Sequence, residues 1–144
     1  MRELVCDAVV VGGGAAGMAA ALEIGGRGHS SVIIEREERL GGILLQCIHN
    51  GFGLTEFEEE LTGPEYAENF VSRIQAAPAS GSPSGTPVDV LTDTTVVSIE
   101  RDEKLEVVCV NARDGVVRIR SRAVVLAMGC RERNRGNLRI PGTR

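Results

Sequence analysis

Hydrophobic positions follow two alternating rhythms in the first half of this chain, and a third takes over in the second half. Ala8–Val11 is an unbroken, β-branched-rich apolar run, the pattern of a short parallel strand buried on both faces. Met18, Ala21, Leu22 and Gly25 then recur at helical spacing, which turns one stripe of a helix toward a sheet. Gly25, Gly26 and Gly28 are expected to stop that helix, and Ser31–Ile34 to form a second strand ending at Glu35. A second stripe, Tyr66, Phe70, Val71 and Ile74, predicts a helix from Pro64, suited to a first helical position, to about Ala77. Residues 55–61 read as a short acidic helix, with Glu58, Glu59 and Glu60 on a solvated face. From Val88 the texture is that of strands: Val88–Leu91, then 94–101, 105–112 and 116–122, with turns at 102–104 and 113–115. Residues 123–128 predict one more buried strand, ending at Gly129. Residues 78–87, built from Pro, Ser, Gly, Ala and Thr, predict a mobile surface loop. Strand–helix–strand followed by antiparallel strands places the chain in the α/β class.

The junction between the first strand and the first helix carries the chemistry. Gly12, Gly13, Gly14, Ala15, Ala16 and Gly17 give the spacing G-x-G-x-x-G. In that pattern the first glycine permits a tight turn and the second lets backbone approach a diphosphate. The third lets the helix lie close on the strand. Free N–H groups and the positive dipole at the helix start attract phosphate. Glu35, about twenty residues on, stands where a carboxylate accepts hydrogen bonds from both hydroxyls of a ribose and repels a 2′-phosphate. Arg36, beside it, is counted with the nucleotide-contacting residues. At this level the unit fits either a flavin or a nicotinamide dinucleotide.

Arg39-Leu40-Gly41-Gly42 narrows the choice. With this pair following the acidic residue, the chain resembles the two-dinucleotide-binding flavoproteins, the broad pyridine nucleotide–disulfide oxidoreductase class. In that class the backbone of the Gly-Gly pair helps hold the flavin dinucleotide. The resemblance implies a Rossmann-type, FAD-binding parallel sheet with an antiparallel β-meander crossover over 92–122, FAD as cofactor, and hydride transfer between a small substrate or NAD(P)H and flavin. Ala127-Met128-Gly129 stands where the family has Ala-Thr-Gly, so Gly129 is expected beside the dinucleotide. Ile140-Pro141-Gly142 matches the family's continuation into an NAD(P)-binding domain and a C-terminal FAD segment, neither of which the 144 residues contain. The chain is thus expected to be the N-terminal part of an FAD-binding domain, incomplete relative to the family, with an exposed apolar sheet edge. A non-catalytic FAD- or nucleotide-binding fragment or subunit, and an NAD-binding Rossmann unit, are the alternatives.

The disulfide-reductase branch carries a cysteine pair after the Gly-Gly pair; here Cys47 stands without a neighbouring cysteine, so dithiol exchange is not expected. By the same resemblance the segment from Gln46 to Phe52 passes near the flavin ring. Cys47 is then either a thiolate partner of the flavin or a small buried hydrophobe, and His49 either a proton donor and acceptor or a turn residue before Asn50-Gly51. The run from Cys47 through Ala67 is also similar to flavoproteins of glycerol-3-phosphate or opine-type dehydrogenation.

Composition adds less. Of four cysteines and two histidines, none has metal-ligand spacing, so no metal is expected. Unpaired thiols with no export signal point to the cytoplasm, and no run is long enough to span a bilayer. Net charge is −4, unevenly spread: residues 1–112 hold 18 acids against 7 bases, and 113–144 hold 9 arginines against 2 acids. Arg118, Arg120 and Arg122 alternate with Val117, Ile119 and Ser121 as a solvated strand face would. No aromatic residue in the tail offers a base a stacking surface. Nucleic acid is therefore not expected as a partner; a small-molecule substrate, and a partner subunit or a second copy, are. Arg131, Arg133 and Arg135 read either as a solvated loop or as groups that reach an anionic substrate.

Overall fold

The computed structural model describes residues 1–77, 87–102 and 104–130. The strands are β1 (Arg2–Val5), β2 (Ala8–Val11), β3 (Ser31–Ile34), β4 (Asn50–Phe52), β5 (Leu61–Thr62), β6 (Val88–Leu91), β7 (Thr95–Arg101), β8 (Leu105–Asn111), β9 (Gly115–Ser121) and β10 (Ala123–Leu126). The helices are α1 (Ala15–Gly26) and α2 (Gly63–Ala76), with a 3-10 turn at Gly42–Gln46 between them. One sheet, ordered β10-β2-β3-β6, is parallel throughout; the second is ordered β1-β9-β8-β7.

Side-chain alternation in β2 and β3 divides the interior. Val9, Val11, Val32 and Ile34 turn to the second sheet and pack with Val107, Cys109, Val117 and Ile119. Val10 and Ile33 turn the other way, onto Met18, Ala21, Leu40, Leu44, Ala67, Phe70 and Ile74. A strand covered on both faces must be apolar at every position, which explains the continuous run of β2. In α1 the stripe holds: Met18 and Ala21 are fully buried. Gly25 and Gly26 lie inside this helix, however, and it turns away only at Arg27 and Gly28, whose φ is +83°.

The chain crosses between the sheets twice, side by side. Arg2↔Val117 to Val5↔Arg120 pair in one sheet and Ala8↔Ala123 to Val11↔Leu126 in the other, with an unchanged offset. At the crossing, Asp7 gathers three segments. Its carboxylate accepts from Ser30 N–H at 2.9 Å and Ser30 Oγ at 3.0 Å, its carbonyl accepts from Arg122 N–H at 3.0 Å, and the Arg122 guanidinium lies 3.6 Å from Oδ1.

Helix α2 starts at a capping box: Thr62 N–H donates to Glu65 Oε2 at 2.8 Å, and Glu65 N–H returns to Thr62 Oγ1, with Pro64 in the first turn. All four phenylalanine and tyrosine rings of the chain meet in one cluster along it. Tyr66 and Phe70 lie 5.1 Å apart, Phe57 meets each edge-on, and Arg73 covers Phe57 at 4.7 Å.

Two sequence expectations are corrected. Residues 55–61 form no helix: 54–57 are a turn, Glu58 has φ +56°, and Leu61 pairs with Phe52 in the β4–β5 hairpin. Seven residues with three successive glutamates make a poor isolated helix, while Phe57 packs on the rings of α2 and Leu61 is buried in the hairpin opposite Phe52. Residues 123–128 are not a buried strand. β10 ends at Leu126 and lies on the sheet edge, paired with β2 alone among the described residues, which leaves Leu126 59 % and Met128 68 % exposed. Residues 94–101, 105–112 and 116–122 hold their expected strands to within a residue. The 78–86 stretch of the expected loop, and Arg131, Arg133, Arg135 and residues 140–142, lie outside the described residues.

Candidate functional site

The carboxyl ends of β2, β3 and β10 converge on the glycine corner. Gly12 adopts φ +106°, closed to residues with a Cβ, and a Cβ there would strike the Ala127 carbonyl oxygen. Gly17 has equally little room, since a Cβ would run into the Gly12 carbonyl oxygen; that contact sets the helix on the strand. Gly14 differs. It caps α1 in extended conformation, and an added Cβ would meet no atom within 4 Å. No side chain caps α1 and no acid stands in its first turn. The first-turn N–H groups, including those of Ala15 and Ala16, thus face an open cradle without a side-chain acceptor, which suits an external anion.

Glu35 closes one side. It is 7 % exposed; Oε2 accepts from Gly13 N–H at 2.7 Å and Oε1 from Glu37 N–H at 2.9 Å. The carboxylate therefore points into the corner, on the flank where a ribose next to the diphosphate would lie. Arg36 points away, exposed and paired with Glu37 at 3.1 Å. The Gly41-Gly42 pair lies against the same corner: Gly41 N–H donates to the Gly13 carbonyl at 2.8 Å, and a Cβ on Gly42 would sit 3.2 Å from Gly14 Cα. Both have positive φ, +123° and +52°. Gly129, at φ +69°, follows the Ala127–Met128 segment that passes over Gly12, and is exposed. Gly12, Gly13, Gly14, Gly17, Glu35, Gly41 and Gly42 are thus brought together. The donor set and the cradle that a Gly14 Cβ would occupy fit the diphosphate and ribose of a dinucleotide such as FAD. Leu40, whose side chain lies over Gly13, had no role in the sequence reading; nothing but its place before Gly41 could have marked it.

Cys47 follows the 3-10 turn and His49 precedes the β4–β5 hairpin. Cys47 is half-buried: Sγ donates to the Ile43 carbonyl at 3.4 Å, and its carbonyl accepts from Gly63 N–H at 2.8 Å. A Cβ on Gly63 would collide with this backbone, so Cys47 helps seat α2. The His49 ring stands 5.4 Å from Phe52, with Nδ1 2.9 Å from the Asn50 carbonyl oxygen. A carbonyl only accepts, so Nδ1 carries the proton, and in the neutral ring the exposed Nε2 is left as an acceptor. The four cysteines are unpaired. Burial, with the charges of Asp7 and Asp89, pushes the Cys6 thiol up to about 11, and burial raises Cys109, so both stay protonated at neutral pH. Among the described residues no group of three His, Cys, Asp or Glu side chains is placed to hold a metal ion, and no helix is long and apolar enough to cross a membrane.

Known proteins resemble this chain over part of their length. Hydrogen cyanide synthase subunit HcnB of Pseudomonas protegens is 32% identical over 127 residues, covering 88% of this chain and 25% of that protein. The 4-oxocyclohex-2-ene-1-carboxylate 5-dehydrogenase of Sinomonas cyclohexanicum is 49% identical over 41 residues, 28% of this chain and 7% of that protein. The chain thus spans about a quarter or less of these relatives. Among solved structures, L-proline dehydrogenase from P. horikoshii superposes with a TM-score of 0.71 at 24% identity, over 89% of this chain and 23% of that one. T. acidophilum thioredoxin reductase does so with 0.70 at 20% identity, over 94% and 38%. These two share the fold. The pyridine nucleotide-disulphide oxidoreductase family matches residues 6–143, from two residues before β2 to beyond Gly129. With its glycine corner, acidic strand end and parallel sheet inside that match, the chain belongs to the pyridine nucleotide-disulphide oxidoreductase family.

Proposed function

We propose that this chain is the N-terminal part of the FAD-binding domain of an oxidoreductase that moves a hydride between a small organic substrate, or NAD(P)H, and flavin. The uncapped cradle at Gly14, flanked by the inward-pointing Glu35 carboxylate, carries this reading. Backbone N–H groups of Gly14, Ala15 and Ala16 bind the diphosphate, and the α1 dipole adds to their attraction. Glu35 orients the adenosine ribose through its hydroxyls, and the backbone of Gly41-Gly42, with Gly129, lines the path of the rest of the dinucleotide. Bound flavin supplies the electron transfer itself, and the protein supplies position and electrostatics. Gly13 and Gly17 shape the corner rather than touch the ligand. A cytoplasmic setting accords with the unpaired thiols.

Titrating the purified protein with FAD and NAD separately tests this. FAD is expected to bind more tightly and to show the two visible bands of oxidised flavin; a clear preference for NAD rejects the role given to Gly41-Gly42. A second reading rests on the relative named as a subunit: the chain serves as a nucleotide-binding subunit beside a partner chain or a second copy. A stable complex in light scattering would favour it.

A further inference from the structure

Gly13 is gripped from both sides by the segment that follows β3, through the two peptide groups that flank its Cα. Its N–H is held by Glu35 Oε2 at 2.7 Å and its carbonyl by Gly41 N–H at 2.8 Å, while the Leu40 side chain occupies the space over its Cα. The second oxygen of the same carboxylate is tied to Glu37 N–H at 2.9 Å, which fixes the carboxylate plane. We propose that Glu35 is a positioning residue for the diphosphate as well as a contact of the ribose: it sets the Gly13 peptide so that the corner stays open in front of α1. This rests on the nucleotide reading above and adds a task to a residue otherwise assigned to the ribose alone.

Acceptor capacity permits both tasks. A carboxylate oxygen accepts at more than one lone pair, so each oxygen holding a backbone N–H still has one for a ribose hydroxyl. Glutamine at this position has the same shape but one acceptor and one NH₂ group. Whichever way it flips, one of the two backbone donors faces another donor in a buried site, and the peptide loses its anchor.

A comparison of probes separates the two tasks. ADP and 2′,3′-dideoxy-ADP are titrated calorimetrically into the wild-type protein, Glu35→Gln and Leu40→Ala at one ionic strength. If Glu35 served the ribose only, Glu35→Gln would weaken ADP and leave the dideoxy probe untouched, and that result overturns the proposal. The expected result is that Glu35→Gln weakens the dideoxy probe too, by about tenfold. Leu40→Ala, which removes the cover over Gly13 without touching the carboxylate, is expected to weaken both probes by one factor; no effect on either counts against the grip. Should Glu35→Gln fail to fold, hydrogen exchange at the Gly13 amide of the wild type decides: protection supports the grip and free exchange overturns it. A wild type that binds neither ADP nor FAD would refute the nucleotide reading instead, and the Gly13 exchange rate would still judge the grip on its own.

Discussion

At the scale of single residues, three glycines of one motif have different work, and the differences are measurable. Gly14→Val adds carbon to open space in an extended backbone. The unfolding midpoint is therefore expected to stay near wild type, while dinucleotide affinity falls by about tenfold or more, read by calorimetry beside a thermal melt. Gly17→Ala drives a methyl into backbone that cannot yield, and a loss of about 3 kcal/mol in denaturant unfolding is expected whether or not nucleotide is present. Asp7 makes a prediction about pH. The Ser30 backbone and side-chain donors, then the charges of His29 and Arg122, hold its carboxyl below the ordinary aspartate value. A depressed folded value means that the contribution is present above the unfolded value and fades as pH falls through the folded one, below about pH 4. Asp7→Asn is thus expected to destabilise at pH 7, and the gap to wild type should narrow toward pH 3 in parallel denaturant titrations. The glycine spacing was legible in the sequence because each glycine is demanded by local backbone geometry. The double hydrogen bond on Glu35 was not, because it depends on where the chain after β3 returns.

At the scale of elements, local signals were reliable where they are self-contained. Pro64, Thr62 and Glu65 together write a helix start, and Thr62→Ala is expected to cost about 1 kcal/mol of stability, checked by chemical denaturation. The stripe of α2 survived in the fold because Phe70 and Ile74 pack into the core under the parallel sheet, with Tyr66 and Val71 against it. The acidic segment before it failed as a helix because its two apolar residues, Phe57 and Leu61, are drawn to different neighbours, the rings of α2 and the strand at Phe52. β1 gave no sequence signal: four residues, two of them charged, become a strand only because β9 lies alongside. The Gly25–Gly26 pair read as a stop, yet both residues stay helical, since packing of Met18 and Ala21 on the sheet outweighs a glycine penalty of about 1 kcal/mol each.

At the scale of the whole molecule, the parallel sheet separates two apolar cores. Ile119 belongs to the one shared with the second sheet and Phe70 to the one shared with the helices. Ile119→Ala is expected to cost about 2–5 kcal/mol and Phe70→Ala about 3–5 kcal/mol. Because they share no partner, the double variant should lose the sum to within about 0.5 kcal/mol; a clear excess or deficit in urea unfolding would mean that the cores are coupled through the sheet. The sequence alone settled the strand–glycine corner–helix unit, the second strand ending in an acid and the antiparallel run that follows, since each is encoded in the periodicity or spacing of neighbouring residues. Only the tertiary structure decided that 2–11 and 117–126 run together through both sheets, that among the described residues the exposed apolar edge falls on β10, and that Glu35 and Gly41 grip one residue, Gly13, between them. These depend on contacts between residues far apart in the chain, whose pairing is fixed by which faces must be buried together rather than by any local pattern.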